Sequence, residues 1–181
     1  MPNWCNNSIT ISGPTETIKQ LWEDAHPDTE AFELLQAMAP MPAELEGTTA
    51  PSGVGEDWYS WRVSNWGTKW DVSDEGLEFI DNGDGTSMIT GWFDSAWAPP
   101  IEAYNTFLDD MDNCSIVASY YEPGMDFAGF YTDGDDEYCD NLTDQCLLGE
   151  DERSDLFKRL DEEYALVENY EMWKEDEEMA D

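Results

Sequence analysis

Asp133, Asp135, Asp136 and Glu137, with Asp140 and Asp144 just beyond, set carboxylates close enough together to bind calcium or to imitate the phosphates of a nucleic acid. The calcium pattern is incomplete. Asp133-x-Asp135-x-Glu137 begins like an EF-hand loop, but its sixth position, where such a loop turns on glycine, is Tyr138. Further acids gather at Asp109, Asp110 and Asp112, and at Asp161, Glu162, Glu163, Glu168 and Glu171. A charge run of this kind is either a plain solvated face or a surface for a cationic partner. These acids, apart from Asp140 and Asp144, are the candidate partner-binding residues.

A second cluster combines Trp66, Lys69, Trp70, Asp71 and Trp97. Exposed, these indoles beside a lysine would anchor a partner or stack a base. Buried, they would cap the end of a sheet with Lys69 and Asp71 paired, and the average burial of large aromatics favours this second arrangement. Asp71 and Asp94 could also hold Mg²⁺ in a hydrolase, although no spacing demands it. Cys5, Cys114, Cys139 and Cys146 lack the C-x-x-C spacing of a zinc site, so free thiols are expected. The single histidine, His26, sits beside Pro27 at a helix end, a poor place for a general base. No metal and no cofactor is implied, and the chain reads as non-enzymatic.

These residues sit on an unusually acidic chain: 181 residues carry 43 Asp+Glu against 7 Lys+Arg, a formal net charge of −36. Such a surface repels nucleic acid and anionic membranes and attracts basic surfaces over about a Debye length. Disorder is not the consequence, because 9 Trp, 8 Tyr and 7 Phe supply a core. The charge is uneven. Residues 101–181 hold 26 acids and 4 bases, whereas residues 1–100 hold 17 acids and 3 bases. The chain begins without a basic, apolar leader and has no apolar run of about 18 residues, so a cytoplasmic location is expected.

Residues 4–12 alternate as a strand and Gly13-Pro14 should end it; residues 15–25 carry Ile18, Leu21, Trp22 and Ala25 at helical spacing. Residues 32–45 read as a short helix or an extended segment, and residues 48–55 as a loop. Residues 77–81 and 86–93 flank Asn82-Gly83-Asp84-Gly85, far more a hairpin turn than a metal loop. A helix follows, with Ile101, Tyr104, Phe107, Leu108 and Met111 on one stripe, then strands at 114–121 and 127–131. This order predicts an α+β, ferredoxin-like split βαβ sandwich with two helices on one face of an antiparallel sheet. Cys5 and Cys114 should then lie at opposite ends of neighbouring strands. The domain spans residues 1–131 with an insertion at about 30–70. Residues 132–181 form an acidic extension, with one helix at about 154–174 whose stripe is Leu156, Phe157, Leu160, Tyr164 and Val167. Residues 175–181 should fray.

Several segments together carry a likeness: Met1-Pro2-Asn3-Trp4-Cys5 with Asn7, Pro40-Met41-Pro42, Trp66-Gly67-Thr68-Lys69-Trp70-Asp71, Phe93-Asp94-Ser95-Ala96-Trp97 with Pro99-Pro100, and Glu122-Pro123-Gly124-Met125 before Phe127-Ala128-Gly129. They resemble the YubB-like family of phages and conjugative plasmids, whose members are described as containing a ferredoxin-like domain. The resemblance covers residues 1–131 and implies a mobile-element origin. It supplies no activity and no catalytic residues.

Charge and resemblance together lead to a definite expectation. The chain should be an accessory protein that blocks a basic host protein handling nucleic acid, such as a restriction or CRISPR nuclease, by presenting the charge of DNA. The alternatives are the Asp71 and Asp94 hydrolase and an acid-rich protein adapted to high salt.

Overall fold

The computed structural model describes residues 3–27, 31–50 and 57–180. Met1 and Pro2 of the first motif, most of the expected loop at 48–55, and Asp181 at the fraying end lie outside the described residues.

Among the described residues, six strands form one antiparallel sheet: β1 (Trp4–Pro14), β2 (Leu77–Asp81), β3 (Thr86–Ala96), β4 (Ser115–Glu122), β5 (Phe127–Thr132) and β6 (Asp135–Asp140), in the order β2-β3-β1-β4-β5-β6. Helix α1 (Thr15–Asp24) follows β1. Helices α2 (Leu34–Met38) and α3 (Trp58–Asn65) come before β2, and α4 (Ile101–Asp110) joins β3 to β4. After β6 come α5 (Leu142–Cys146), α6 (Asp155–Tyr164) and α7 (Leu166–Ala180). The class is α+β. No helix among the described residues is long and apolar enough to cross a membrane.

Strand β1 sits in the middle because both of its faces and both of its edges can be used. Cys5, Asn7, Ile9 and Ile11 point into one layer and are buried, while Trp4, Asn6 and Ser8 face the other way and are exposed. The buried side meets Ile18 and Leu21 of α1, Leu34 and Leu35 of α2, and Tyr104 and Phe107 of α4, which with Trp66, Phe93 and Ile116 make the main core. A second core lies on the opposite face, where Ala128 of β5 meets Phe157 and Leu160 of α6 and Leu166 of α7. Phe157 and Leu160 are fully buried, each contributing roughly 1.5–3 kcal/mol. The C-terminal helices therefore cover the β4–β6 half of that face. Asn6, Ser8, Trp92 and Asp94 lie exposed on its β3–β1 half.

The structure departs from the sequence expectations at four points. Strand β1 runs through Gly13 and Pro14, which pair with Ser87 and Thr86; the missing proline N–H is tolerated because pairing with β4 has already ended at Ser12. The acidic segment at 133–140 is a turn followed by a strand, not a calcium loop. Asp133 and Gly134, at φ 49° and 98°, make a two-residue turn, and Asp135, Asp136, Glu137 and Asp140 lie on β6, the edge strand beside β5. An extended strand holds its same-face neighbours Asp135 and Glu137 about 6.6 Å apart instead of curling them round an ion, and among the described residues no three such side chains are grouped as a calcium loop requires. The boundary drawn at residue 131 falls inside this hairpin, and the acidic extension shares the sheet of the residues before it. The expected single helix is broken at Ala165 (φ 50°). Asp161 accepts the Val167 N–H at 2.8 Å and Asn169 Nδ2 donates to the Tyr164 carbonyl, which together satisfy the break and let Leu166 turn into the core.

Cys114 lies beside Gly13, at the other end of the sheet from Cys5, and all four cysteines are free. The left-handed backbone at Ala165 generates a test. Ala165→Gly should raise stability by about 1 kcal/mol, since alanine is strained there and glycine is not. Thermal unfolding of the two proteins checks it; an unchanged or lower midpoint would contradict the strain.

Candidate partner-binding surface

The acids singled out in the sequence divide into those that hold the fold and those that face solvent. Asp133 accepts the Ile116 N–H at 2.7 Å and the Ser115 hydroxyl at 3.0 Å, finishing the start of β4. Asp136 accepts the Tyr120 hydroxyl at 2.7 Å. Burial pushes its carboxyl up, and the tyrosine hydrogen bond opposes that. Glu137 pairs with Arg159 at 2.9 Å, Asp161 caps the start of α7, and Glu163 accepts the Ser119 hydroxyl at 3.4 Å. The others, Asp109, Asp110, Asp112, Asp135, Glu162, Glu168 and Glu171, are exposed, and no hydrogen bond or ion pair holds them among the described residues.

Nor do these acids form one continuous set. Asp109, at the end of α4, shares with Asp133 and Asp136 the surroundings of Tyr131, whose hydroxyl is pushed up first by burial and then by these three charges. Glu162, Glu163, Glu168 and Glu171 belong to α6 and α7 on the other side of the sheet. Glu137 lies on that side as well, since Arg159 of α6 reaches it. Alternation along β6 puts Asp135 with Glu137 and Asp136 against them.

The aromatic cluster also separates. Trp66 is fully buried, donates its indole N–H to the Ala39 carbonyl at 2.8 Å, and carries the Arg62 guanidinium 4.6 Å over its ring. Trp70 and Trp97 are exposed instead. Lys69 does not pair with Asp71 but stands 4.5 Å over Trp70 and 5.7 Å over Tyr59. Trp97 holds φ at 75°, which a bulky residue rarely adopts, and with Trp58, Tyr59 and Lys69 it lines a hollow of about 400 Å³. Asp71 is a structural cap: it accepts the N–H groups of Leu35, Gln36 and Val72 at 2.8, 2.9 and 2.9 Å, tying the first turn of α2 to the segment before β2. Its burial pushes the carboxyl up to about 6 against the pull of those three donors.

Neither Trp92 nor Trp4, which the sequence showed only as part of the Met1–Cys5 motif, was a candidate site residue. Trp4 packs against Trp70, ring centroids 6.1 Å apart, and Trp92 is 59% exposed. Their signal was their place in the strands, in phase with Asn6 and Ser8 on β1 and with Asp94 on β3, the polar and therefore outer positions. Gly76 fixes Trp92. A Cβ there would lie 2.6 Å from the indole, so only glycine lets the ring lie flat on the backbone. Trp4, Trp92, Asp94, Asp71, Ser73 and Glu75 then line a cleft of about 300 Å³.

Asp71 and Asp94 thus share a cleft, but neither is arranged as a metal ligand. Both Asp71 oxygens are taken by backbone donors, and Asp94 Oδ1 accepts from Asn6 Nδ2 at 2.6 Å. Among the described residues, no three His, Cys, Asp or Glu side chains are grouped to hold an ion.

No family model and no curated protein matches the chain. Among solved structures it is similar to protein api92 from Yersinia pseudotuberculosis, described under the family model DUF1281, at 12% sequence identity. The match covers 77% of this chain and 98% of that chain, with a TM-score of 0.41.

The Asp71 cap predicts a pH dependence. Because its folded pKa lies above the ordinary 3.8, the protonated form is favoured by folding, and the stability it contributes is full below about 3.8 and lost as pH rises through about 6. Carbon-13 detection of the Asp71 carboxyl should give a midpoint near 6, and Asp71→Asn should remove this component of the pH profile. A midpoint at or below the ordinary value would contradict the burial.

Proposed function

We propose that this chain is a non-enzymatic binding protein that engages a basic, nucleic-acid-handling protein through its outward carboxylates and blocks the groove where DNA or RNA would lie. The observation that carries this reading is the C-terminal layer. Its apolar side is locked onto the sheet by Phe157, Leu160 and Leu166, while Glu162, Glu168 and Glu171 face water with no described internal partner. A fixed array of charges loses little freedom on binding, and releases the counterions held in the partner's groove. A DNA duplex carries about one charge per 1.7 Å of axis, and helix turns about 5.4 Å apart with one or two carboxylates each approach one edge of it.

Two finer points belong with this proposal. The order β2-β3-β1-β4, with α1 and α4 as the crossing helices, supports a ferredoxin-like split βαβ unit for the first four strands. The YubB-like resemblance supports an origin in a phage or plasmid, where a blocker of restriction or CRISPR nucleases, acting in the host cytoplasm, has an evident use.

The test measures binding to, and inhibition of, a panel of restriction and RNA-guided nucleases. With about four ion pairs, affinity should fall roughly 10²-fold between about 50 and about 200 mM salt. Replacing Glu162, Glu168 and Glu171 together by Gln should weaken binding at least about tenfold, about 1.4 kcal/mol, whereas Asn at Asp109, Asp110 and Asp112 should leave it in place. Affinity insensitive to salt, or a protein that unfolds at low salt and is rescued by molar salt without inhibiting anything, would contradict the proposal.

A further inference from the structure

The cleft beside β3 offers chemistry that the outward carboxylates lack. Its lining includes two indoles, Trp4 packed against Trp70 and Trp92 against Gly76, together with the carboxylates of Asp94, Asp71 and Glu75. No cation lines it. Trp4 and Trp92 are 47% and 59% exposed, so these large rings face water on the side of the sheet opposite the main core. The free oxygen of Asp94 has no described partner, since only its Oδ1 accepts from Asn6.

Indole faces carry negative potential, and a carboxylate beside them adds to it, so the group that satisfies both is an organic cation. A nucleobase would also stack, but the phosphate attached to it would meet the carboxylates and a net charge of −36. Among side-chain cations, the planar guanidinium lies flat on a ring while its edge offers paired N–H donors to a carboxylate, and ammonium does not match that geometry. The chain itself builds this arrangement. Arg159 stands 4.8 Å over Phe130 while its Nη1 lies 2.9 Å from the Glu137 carboxylate; Arg62, 4.6 Å over Trp66, and Lys69, 4.5 Å over Trp70, repeat the stacking part of it.

We infer that the cleft between Trp4, Trp92 and Asp94 receives an arginine side chain of a basic partner, stacked on indole and hydrogen-bonded to Asp94. This rests on the partner reading above, and the sheet joins the two sites. Glu163 of α6 accepts from Ser119, Ser119 pairs with Ser8, and Ser8 pairs with Trp92. From β4 to β3 is two strand spacings, about 10 Å, so a basic surface resting on the C-terminal layer reaches the cleft with one long side chain. The outward carboxylates would then supply attraction, and the cleft the preference for arginine over lysine.

The test uses the full chain and blocked Gly-Arg-Gly, Gly-Lys-Gly and Gly-citrulline-Gly peptides, followed by the indole N–H signals in NMR at about 150 mM salt, where exposed charges are screened beyond about 8 Å. The arginine peptide should shift the Trp4 and Trp92 signals, the lysine peptide should bind at least about threefold more weakly, and the neutral citrulline peptide should not bind. Asp94→Asn should weaken the arginine peptide at least about fivefold while the spectrum keeps its folded dispersion; Trp92→Ala should abolish the response. Equal shifts from arginine and lysine, binding of citrulline, or shifts that survive Asp94→Asn would overturn the assignment. Because no nuclease is present, the two proposals fail separately. Peptide selectivity without nuclease binding removes only the partner reading, and salt-dependent nuclease binding without peptide selectivity removes only the cleft.

Discussion

Self-repulsion among 43 acids is the force that every part of this fold must oppose, and burial on both faces of one sheet is what opposes it. The first core is large and lies under α1, α2 and α4; the second is small and lies under α6 and α7. Without the second, the most acidic third of the chain would have nothing to rest on. The sheet itself makes this possible by growing one strand beyond β5, since β6 gives the C-terminal helices a wider platform while its own edge is guarded by charge.

Part of the acidity is absorbed as hydrogen-bond acceptance by the backbone. Asp71 holds α2, Asp133 completes β4, and Asp161 bridges the break at Ala165, each placing a carboxylate where N–H groups would otherwise lack partners. These acids are anchored and cannot turn toward a partner. What is left for recognition is therefore a smaller set than the composition suggests, divided by the sheet into an α4 group and an α6–α7 group. A similar division applies to the tryptophans. Trp66 satisfies its indole inside the core, while Trp4, Trp70, Trp92 and Trp97, like Trp173 on α7, lie in the open where they can contribute to binding.

Strands and helices with a strict period were legible in the sequence. The alternation of β1 and the stripes of α1 and α4 gave their boundaries to within one or two residues, because each buries one face against one layer. Strand β6 was not legible: its exposed acids hide the period that usually marks a strand, although Asp133-Gly134 is a hairpin turn signal. The break at Ala165 was hidden for a different reason. Alanine and leucine both favour helix, and only the tertiary demand to bury Leu166 overrides them. For the site, residue type alone misassigned Trp70 and Trp97 to the core; strand phase, which does place Trp4 and Trp92 outward, was the more informative signal.

The central claim is that the carboxylates of the C-terminal layer, rather than the acidity in general, meet a basic protein. Zero-length carbodiimide coupling in the complex with an inhibited nuclease, read by peptide mass spectrometry, addresses it at the level of single residues. Bonds to partner lysines should form at Asp135, Glu162, Glu168 and Glu171 and leave Glu102, Asp109, Asp110 and Asp112 uncoupled. Coupling spread evenly over both groups, or concentrated at the end of α4, would contradict it.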